Sequence, residues 1–523
     1  MPILTPMCRP TNDRIRWLFL VALIHWFATA FSNAPADAAR PNVVVFFVDD
    51  MGWFDSSTYG SAFYETPTLD RLASEGVTFR QAYAHPLCSP SRAALLSGQY
   101  PGARMSMIRA ITGSCVANPT VPETQAPHQS TCWPGSADRM PMKTYTLAES
   151  LRDQGYQTWH LGKWHLCKGR PGQGLPDEQG FDKVIGVGGA GPTGGYFAPY
   201  SVPRFPQGTQ GEYISERMAL EACNLLERRE TDKPFFMYYA CFNVHAPYEC
   251  KPDLLDYYEK KLQSMPMENT QRNPVMAAML HAMDQSLKTL LDKLDSLGLA
   301  ENTIVIFASD NGGVHFPMKG RSEIAKPFDG VPVTDNGPLR GGKCSWFEGG
   351  VRVPMVIRWP GHSGAGHSCE TPVHLIDLYP TLLGITGSSP RPGQVLDGVD
   401  MSPLLTGETI PERPLYCHFP RTKTTVDQIP GGSFIRSGDY KLVRVYDYAS
   451  DTSGRKLLFN LKDDLGETKN LAEELPEVVL SLEAQLDAWL AETNAMVPRP
   501  NPRYDPVSSP QRKRRVPSSE SRP

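Results

Sequence analysis

Hydrophobic residues fall along this chain in two rhythms. Short, unbroken apolar runs rich in β-branched and aromatic side chains stand at Asn42-Val43-Val44-Val45-Phe46-Phe47-Val48, 235–240, 303–308 and 354–357. Runs that do not alternate with polar residues predict strands covered on both faces, the habit of parallel sheets. Between them apolar positions recur at helical spacing over 146–154, 215–230 and 273–297. Strand and helix in turn predict an α/β domain across 40–394, with a large, mostly parallel central sheet flanked by helices. From about residue 395 the texture changes. Residues 434–445 read as a hairpin with a Gly-Asp turn, 456–461 as a further strand and 475–495 as an amphipathic helix, which predicts a smaller C-terminal antiparallel sheet plus helix over 395–496. Beyond 497, Pro, Ser and Arg dominate, so 497–523 is expected to be a disordered tail.

The first 40 residues differ in kind. Arg9, Arg14 and Arg16 precede Trp17-Leu18-Phe19-Leu20-Val21-Ala22-Leu23-Ile24, and Ala36-Asp37-Ala38 offers a small-x-small cleavage site. This is the pattern of a secretory signal peptide over 1–38. No later stretch approaches transmembrane length, so the mature protein is expected to have no membrane span and to be secreted or to reach a periplasm or lumen. The net charge of −4 argues against nucleic acid as a partner. Of the eleven cysteines, nine remain once Cys8 and Cys88 are set aside. That odd number leaves at least one unpaired or paired between chains, and Cys115 and Cys132 are candidates to staple an irregular insertion.

Chemistry gathers at the ends of the expected strands, where ligands bind in open α/β sheets. Asp49 and Asp50 follow the first run, and Asp310 and Asn311 follow the run at 303–308. Three carboxylates at one sheet edge are costly unless a cation offsets them, and carboxylate and amide oxygens suit Ca²⁺ or Mg²⁺. Cys88 opens a helix-forming run, Arg92-Ala93-Ala94-Leu95-Leu96, closed by Gly98. A helix N-terminus with an arginine one turn in favours an anion. Lys163 and His165 stand two apart, which on an extended chain puts them on one face. His245 precedes Ala246-Pro247, and Lys343 lies among glycines that let backbone approach a ligand.

The string His85-Pro86-Leu87-Cys88-Ser89-Pro90-Ser91-Arg92-Ala93-Ala94-Leu95-Leu96-Ser97-Gly98 resembles the C-x-P-x-R signature of the type I sulfatases, of the alkaline-phosphatase-like superfamily. In that family a maturation enzyme oxidises the cysteine to formylglycine (3-oxoalanine). Gly162-Lys163-Trp164-His165, His245-Ala246-Pro247, Ser309-Asp310-Asn311-Gly312-Gly313 and the run from Gly341 to Pro354 are similar to further family elements, in family order over roughly residues 40–495. The resemblance implies that Asp49, Asp50, Cys88, Asp310 and Asn311 hold the metal, Ca²⁺ or Mg²⁺. It implies that Arg92, Lys163 and Lys343 face the sulfate, that His165 deprotonates the second hydroxyl of hydrated formylglycine, and that His245 protonates the departing alcohol. Arg352 reads as structural. The function implied is sulfate ester hydrolysis, with compartment favouring sulfated carbohydrates, and a formylglycine-generating enzyme as partner. A phosphate or phosphonate ester hydrolase of the same superfamily, and a non-catalytic sulfated-glycan-binding protein, are the alternatives. Residues 103–143 and 314–339 match no family pattern.

Overall fold

The computed structural model describes Met1 and residues 40–111, 126–421, 430–449 and 453–508. Apart from Met1, the expected signal peptide lies outside the described residues, as does Cys115. The compact body begins at Pro41.

Nine strands form the main sheet: β1 (Asn42–Val48), β2 (Val77–Tyr83), β3 (Gln157–Lys163), β4 (Lys183–Gly188), β5 (Phe235–Ala240), β6 (Thr303–Ser309), β7 (Arg352–Arg358), β8 (His367–Cys369) and β9 (Val373–His374). Their order is β9-β2-β7-β6-β1-β5-β3-β4, with β8 paired to β2. All pairings are parallel except those of β7, which runs antiparallel to both β2 and β6. The sheet is therefore mostly parallel, as the apolar runs predict.

The unbroken hydrophobicity of β1 has a direct cause. Val44, Phe46 and Val48 enter one core with the helix Pro274–Ser296, while Val43, Val45 and Phe47 enter the other with Ala93, Leu95 and Leu96. All six side chains are fully buried, each stabilising the fold by about 1.5–3 kcal/mol. Local signals set the helix ends. Asn273 accepts from the N–H groups of Val275 and Met276 ahead of Pro274, and Thr146 and Glu149 form a reciprocal capping box. Gly98 closes Cys88–Ser97 in the left-handed conformation, φ 66°.

The C-terminal sheet is an antiparallel meander of β10 (Leu415–Phe419), β11 (Gly432–Ser437), β12 (Tyr440–Val445) and β13 (Arg455–Asn460). Ile435, Leu442 and Leu458 pack under Leu482, Leu486, Trp489 and Leu490 of the helix Pro476–Glu492. The opposite face, with Phe434, Val443 and Phe459, covers Leu87, Trp346 and Phe347. Thus the small sheet lies against two segments that lead into the candidate site.

Two expectations need correction. The chain is described as far as Ser508, past the expected start of disorder at 497. Arg499–Pro500 pairs antiparallel with Thr131–Cys132, and buried Asn501 donates to the carbonyls of Ala126 and Gln129. These backbone partners belong to an insertion far away in sequence, so local composition could not reveal them. Residues 509–523 lie outside the described set. Nor do Lys163 and His165 share a face by simple alternation. Strand β3 ends at Lys163, and His165 lies beyond it with φ 56°.

Candidate active site

Five strand ends build the site. Asp49 and Asp50 leave β1, Asp310 and Asn311 leave β6, Lys163 and His165 leave β3, and His245 follows β5. Because β7 runs opposite to its neighbours, its N-terminal end reaches the same edge and brings the loop that carries Lys343. Gly162 is required for the close approach of β3 to β5. Its φ is 92°, and a Cβ there would stand 2.2 Å from the Ala240 carbonyl oxygen.

The carboxylates and cations interlock. Lys163 Nζ donates to Asp49 Oδ2 at 2.5 Å, and Arg92 Nη2 lies 2.7 Å from Asp310 Oδ2 and 3.7 Å from Asp49 Oδ1. Lys343 Nζ donates to Asp50 Oδ2 at 2.6 Å, and Asn311 Nδ2 donates to Asp50 Oδ1 at 2.9 Å. His245 Nε2 is 3.7 Å from Asp50 Oδ2. Arg92 is fully buried, donates to the Lys163 carbonyl, and rests over the Phe47 ring at 5.3 Å. Within this cage Asp49 Oδ1 and Asn311 Oδ1 are buried and have no hydrogen-bond donor. An orphaned buried oxygen is costly, and two of them beside Asp50 and Asp310 are what a hard cation would satisfy.

Cys88 is the first residue of its helix and 1% exposed. One ligand atom each from Asp49, Cys88 and Asp310 lie within 4.8 Å of one another. The Cys88 sulfur is 3.3 Å from His165 Nδ1, and His165 Nε2 is 3.0 Å from the Ile111 carbonyl oxygen. A carbonyl only accepts, so the hydrogen of neutral His165 sits on Nε2 and Nδ1 presents a lone pair to residue 88. Ser89 Oγ fixes this arrangement by donating to the His165 carbonyl and accepting from Ile111 N–H.

Electrostatics follow from burial. Burial pushes the Cys88 thiol up despite Lys163 and Lys343, so the sulfur is a neutral thiol and not an activated thiolate. Burial, then Lys163 and Arg92, hold His165 well below its ordinary value. Burial and Lys343 bring His245 down to about 3. Asp49 is raised by burial, whereas for Asp50 the attraction of Lys343, His245 and Lys163 outweighs burial and keeps the carboxyl ionised.

The match to known proteins is extensive. A family model described as Sulfatase covers residues 41–388, and one described as N-sulphoglucosamine sulphohydrolase, C-terminal, covers 342–494. The chain belongs to the sulfatase family. Arylsulfatase A of Homo sapiens is 31% identical over 514 residues, covering 88% of this chain and 90% of that protein. N-acetylgalactosamine-6-sulfatase of Canis lupus familiaris is 31% identical, covering 78% and 73%. Among solved structures, Ps i-CgsB in complex with k-i-k-neocarrahexaose matches with a TM-score of 0.67 at 26% identity, covering 86% of this chain and 93% of the other. This sulfatase is accordingly a sulfuric ester hydrolase with the family's α/β fold.

All the candidate residues named from sequence meet at one sheet edge, and Arg352 turns away to donate to the Arg80 carbonyl. Sequence reasoning missed the supporting groups. Ser89 sat unremarked inside the Cys88 string, the Ile111 carbonyl carries no side-chain signal, and Lys441 reads as an ordinary hairpin lysine. Lys441 is in fact fully buried between Glu348 (2.9 Å) and Glu467 (3.0 Å), behind the loop that carries Lys343.

Proposed function

We propose that this sulfatase acts outside the cytosol on sulfate esters of carbohydrates, after a separate enzyme has oxidised Cys88 to formylglycine. The observation that carries the proposal is the convergence of Asp49, Asp310 and His165 on residue 88 beneath three cationic side chains. Asp49, Asp50, Asp310 and Asn311 would hold a divalent cation, Ca²⁺ or Mg²⁺, with residue 88 as a further ligand. The orphaned oxygens of Asp49 and Asn311 and the all-oxygen protein donors fit such an ion. Bound there, it would supply charge stabilisation to the sulfate oxygens and favour an ionised nucleophile. Formylglycine, once hydrated, would supply an oxygen nucleophile and a second hydroxyl through which sulfate is later expelled.

The chain's own residues perform the rest. Arg92 is held rigid by Asp310 and keeps the edge positive behind residue 88. Lys163 and Lys343 bring further charge to the same edge, where a sulfate monoester needs its oxygens stabilised and its leaving group positioned. His165 accepts the proton of the second hydroxyl at Nδ1, because the Ile111 carbonyl fixes the opposite tautomer. His245 serves the leaving-group side. Its Nδ1 is 2.6 Å from the Ala246 carbonyl oxygen, so it carries the hydrogen, and Nε2 must gain a proton before it can act as an acid. That proton would come from solvent, and the negative charge of a bound ester would favour its uptake.

The signal-peptide pattern read from the sequence over 1–38 supports export, and no helix among the described residues is long and apolar enough to cross a membrane. The test is a comparison of turnover on an aryl sulfate and on a phosphate diester by protein co-expressed with a formylglycine-generating enzyme. Preference for the sulfate monoester supports the proposal. Preference for the diester favours the phosphate-hydrolase alternative, and binding without turnover of either favours a glycan-binding protein.

A further inference from the structure

A cavity of about 600 Å³ opens beside the residues that fix His165. Its lining includes Ile111, whose carbonyl faces His165 Nε2, and Trp164, the residue before it in the chain. Gly188 also lines it, and its carbonyl accepts from the backbone N–H groups of Trp164 and His165. The volume lies within the ~300–1,000 Å³ range of sites that enclose whole small molecules, well beyond the space one sulfate group requires.

The charge on its rim is unbalanced. Lys168 Nζ is 3.1 Å from Asp138 Oδ2, and Arg139 Nε is 3.2 Å from Asp138 Oδ1, so one carboxylate is shared by two cations. Arg170, exposed on the same rim, has no ion-pair or hydrogen-bond partner among the described residues. The loop presenting Lys168 and Arg170 is tied down at its far end. Trp164 Nε1 donates to the Gly174 carbonyl, and the Glu178 carboxylate accepts from the N–H groups of Gly172, Gly174 and Leu175. The cations therefore stand on a braced loop, which lowers the ordering cost of pairing them with a ligand. Ile111 and Asp138 belong to the 103–143 segment that matched no family pattern, so this chain's own insertion supplies one wall.

We propose that this cavity is a second sugar subsite. It would hold the unit next to the one that bears the scissile sulfate, with Arg170 and Lys168 pairing with sulfate or carboxylate groups on that neighbour. The inference rests on the sulfatase reading and extends it, because it makes the substrate a polyanionic oligosaccharide rather than a singly sulfated small molecule.

The test uses the matured full-length protein and its Lys168→Ala/Arg170→Ala variant. Calorimetry measures binding of tetrasaccharides from chondroitin 6-sulfate, heparin and ι-carrageenan, each beside its monosulfated monosaccharide. Nitrophenyl sulfate turnover is measured separately. At least one tetrasaccharide should bind the wild type more tightly than its monosaccharide, and the variant should weaken that binding about tenfold. Nitrophenyl sulfate kcat/KM should stay within about twofold of wild type, since neither side chain touches the reacting groups. Equal binding of tetrasaccharide and monosaccharide, or unchanged tetrasaccharide binding in the variant, overturns the subsite. Absence of nitrophenyl sulfate turnover by the wild type would instead count against the sulfatase reading, and the calorimetry would still judge the cavity.

Discussion

Replacing Lys441 with methionine isolates the coupling between the C-terminal sheet and the active-site loop. Lys441 lies on β12 with both carboxylate partners buried, and Glu348 N–H also donates to Glu467 Oε2 at 2.7 Å. Removing the cation leaves two buried carboxylates facing each other, and breaking a buried pair in this way costs about 3–5 kcal/mol. The compact body from Pro41 holds roughly 480 residues. At about 2.1 cal/mol/K per residue its unfolding entropy is about 1 kcal/mol/K, so Lys441→Met should lower Tm by about 3–5 °C. The second arm adds Glu467→Gln. Burial has already pushed the Glu467 pKa up to about 7, whereas Glu348 keeps Arg352, Arg436 and the Tyr83 hydroxyl as partners. The double variant should therefore regain most of the lost stability. Scanning calorimetry of the wild type and both variants decides. A single variant within 1 °C of wild type, or a double variant no more stable than the single one, would refute the assignment of this triad as a coupled buried network.

Cys88→Ser should leave Tm nearly unchanged and abolish turnover of an aryl sulfate, because serine offers a single hydroxyl and a sulfate transferred to it has no second hydroxyl to expel it; full turnover by this variant would contradict the proposed chemistry. Calcium at about one hundred times its Kd should stabilise the wild type by about 2.7 kcal/mol, and Asp49→Asn should abolish the calcium dependence of Tm whatever it does to Tm itself. Asp55 is raised by burial from 3.8 to about 7. Its contribution to stability is thus fully present below pH 3.8 and is lost as pH rises through 7. The stability of Asp55→Asn relative to wild type should rise between pH 4 and pH 8 by up to about 4 kcal/mol, and denaturant unfolding that shows no such trend would remove Asp55 as a buried titrating group.

The legible parts of the fold were those whose cause is local. Continuous apolar runs marked β1, β5 and β6 because both faces of each are covered, and apolar positions at helical spacing marked the helices that Thr146 and Asn273 cap. Strand β3, Gln157–Lys163, was hidden because Gln157 and Thr158 are buried polar residues satisfied by the distant carbonyls of Glu230, Lys233 and Gly180, and His160 is buried against the Trp164 and Phe181 rings. The reversal of β7 was equally silent, since strand direction depends on partners and leaves no mark on a four-residue apolar run. The acidic, basic and thiol groups of the site could be named through their likeness to sulfatase motifs, and Asp49, Asp50, Asp310 and Asn311 also through their place at strand ends. Their supports could not. The Ile111 carbonyl is backbone, and the burial of Lys441 is imposed by a sheet packed on a loop about one hundred residues earlier.

The most direct measurement is the mass of the peptide spanning residue 88, taken from protein that is turning over a sulfate ester. The account predicts an aldehyde in place of the thiol, with turnover rising in proportion to the fraction so modified. Full turnover by protein whose residue 88 is entirely unmodified cysteine would contradict it.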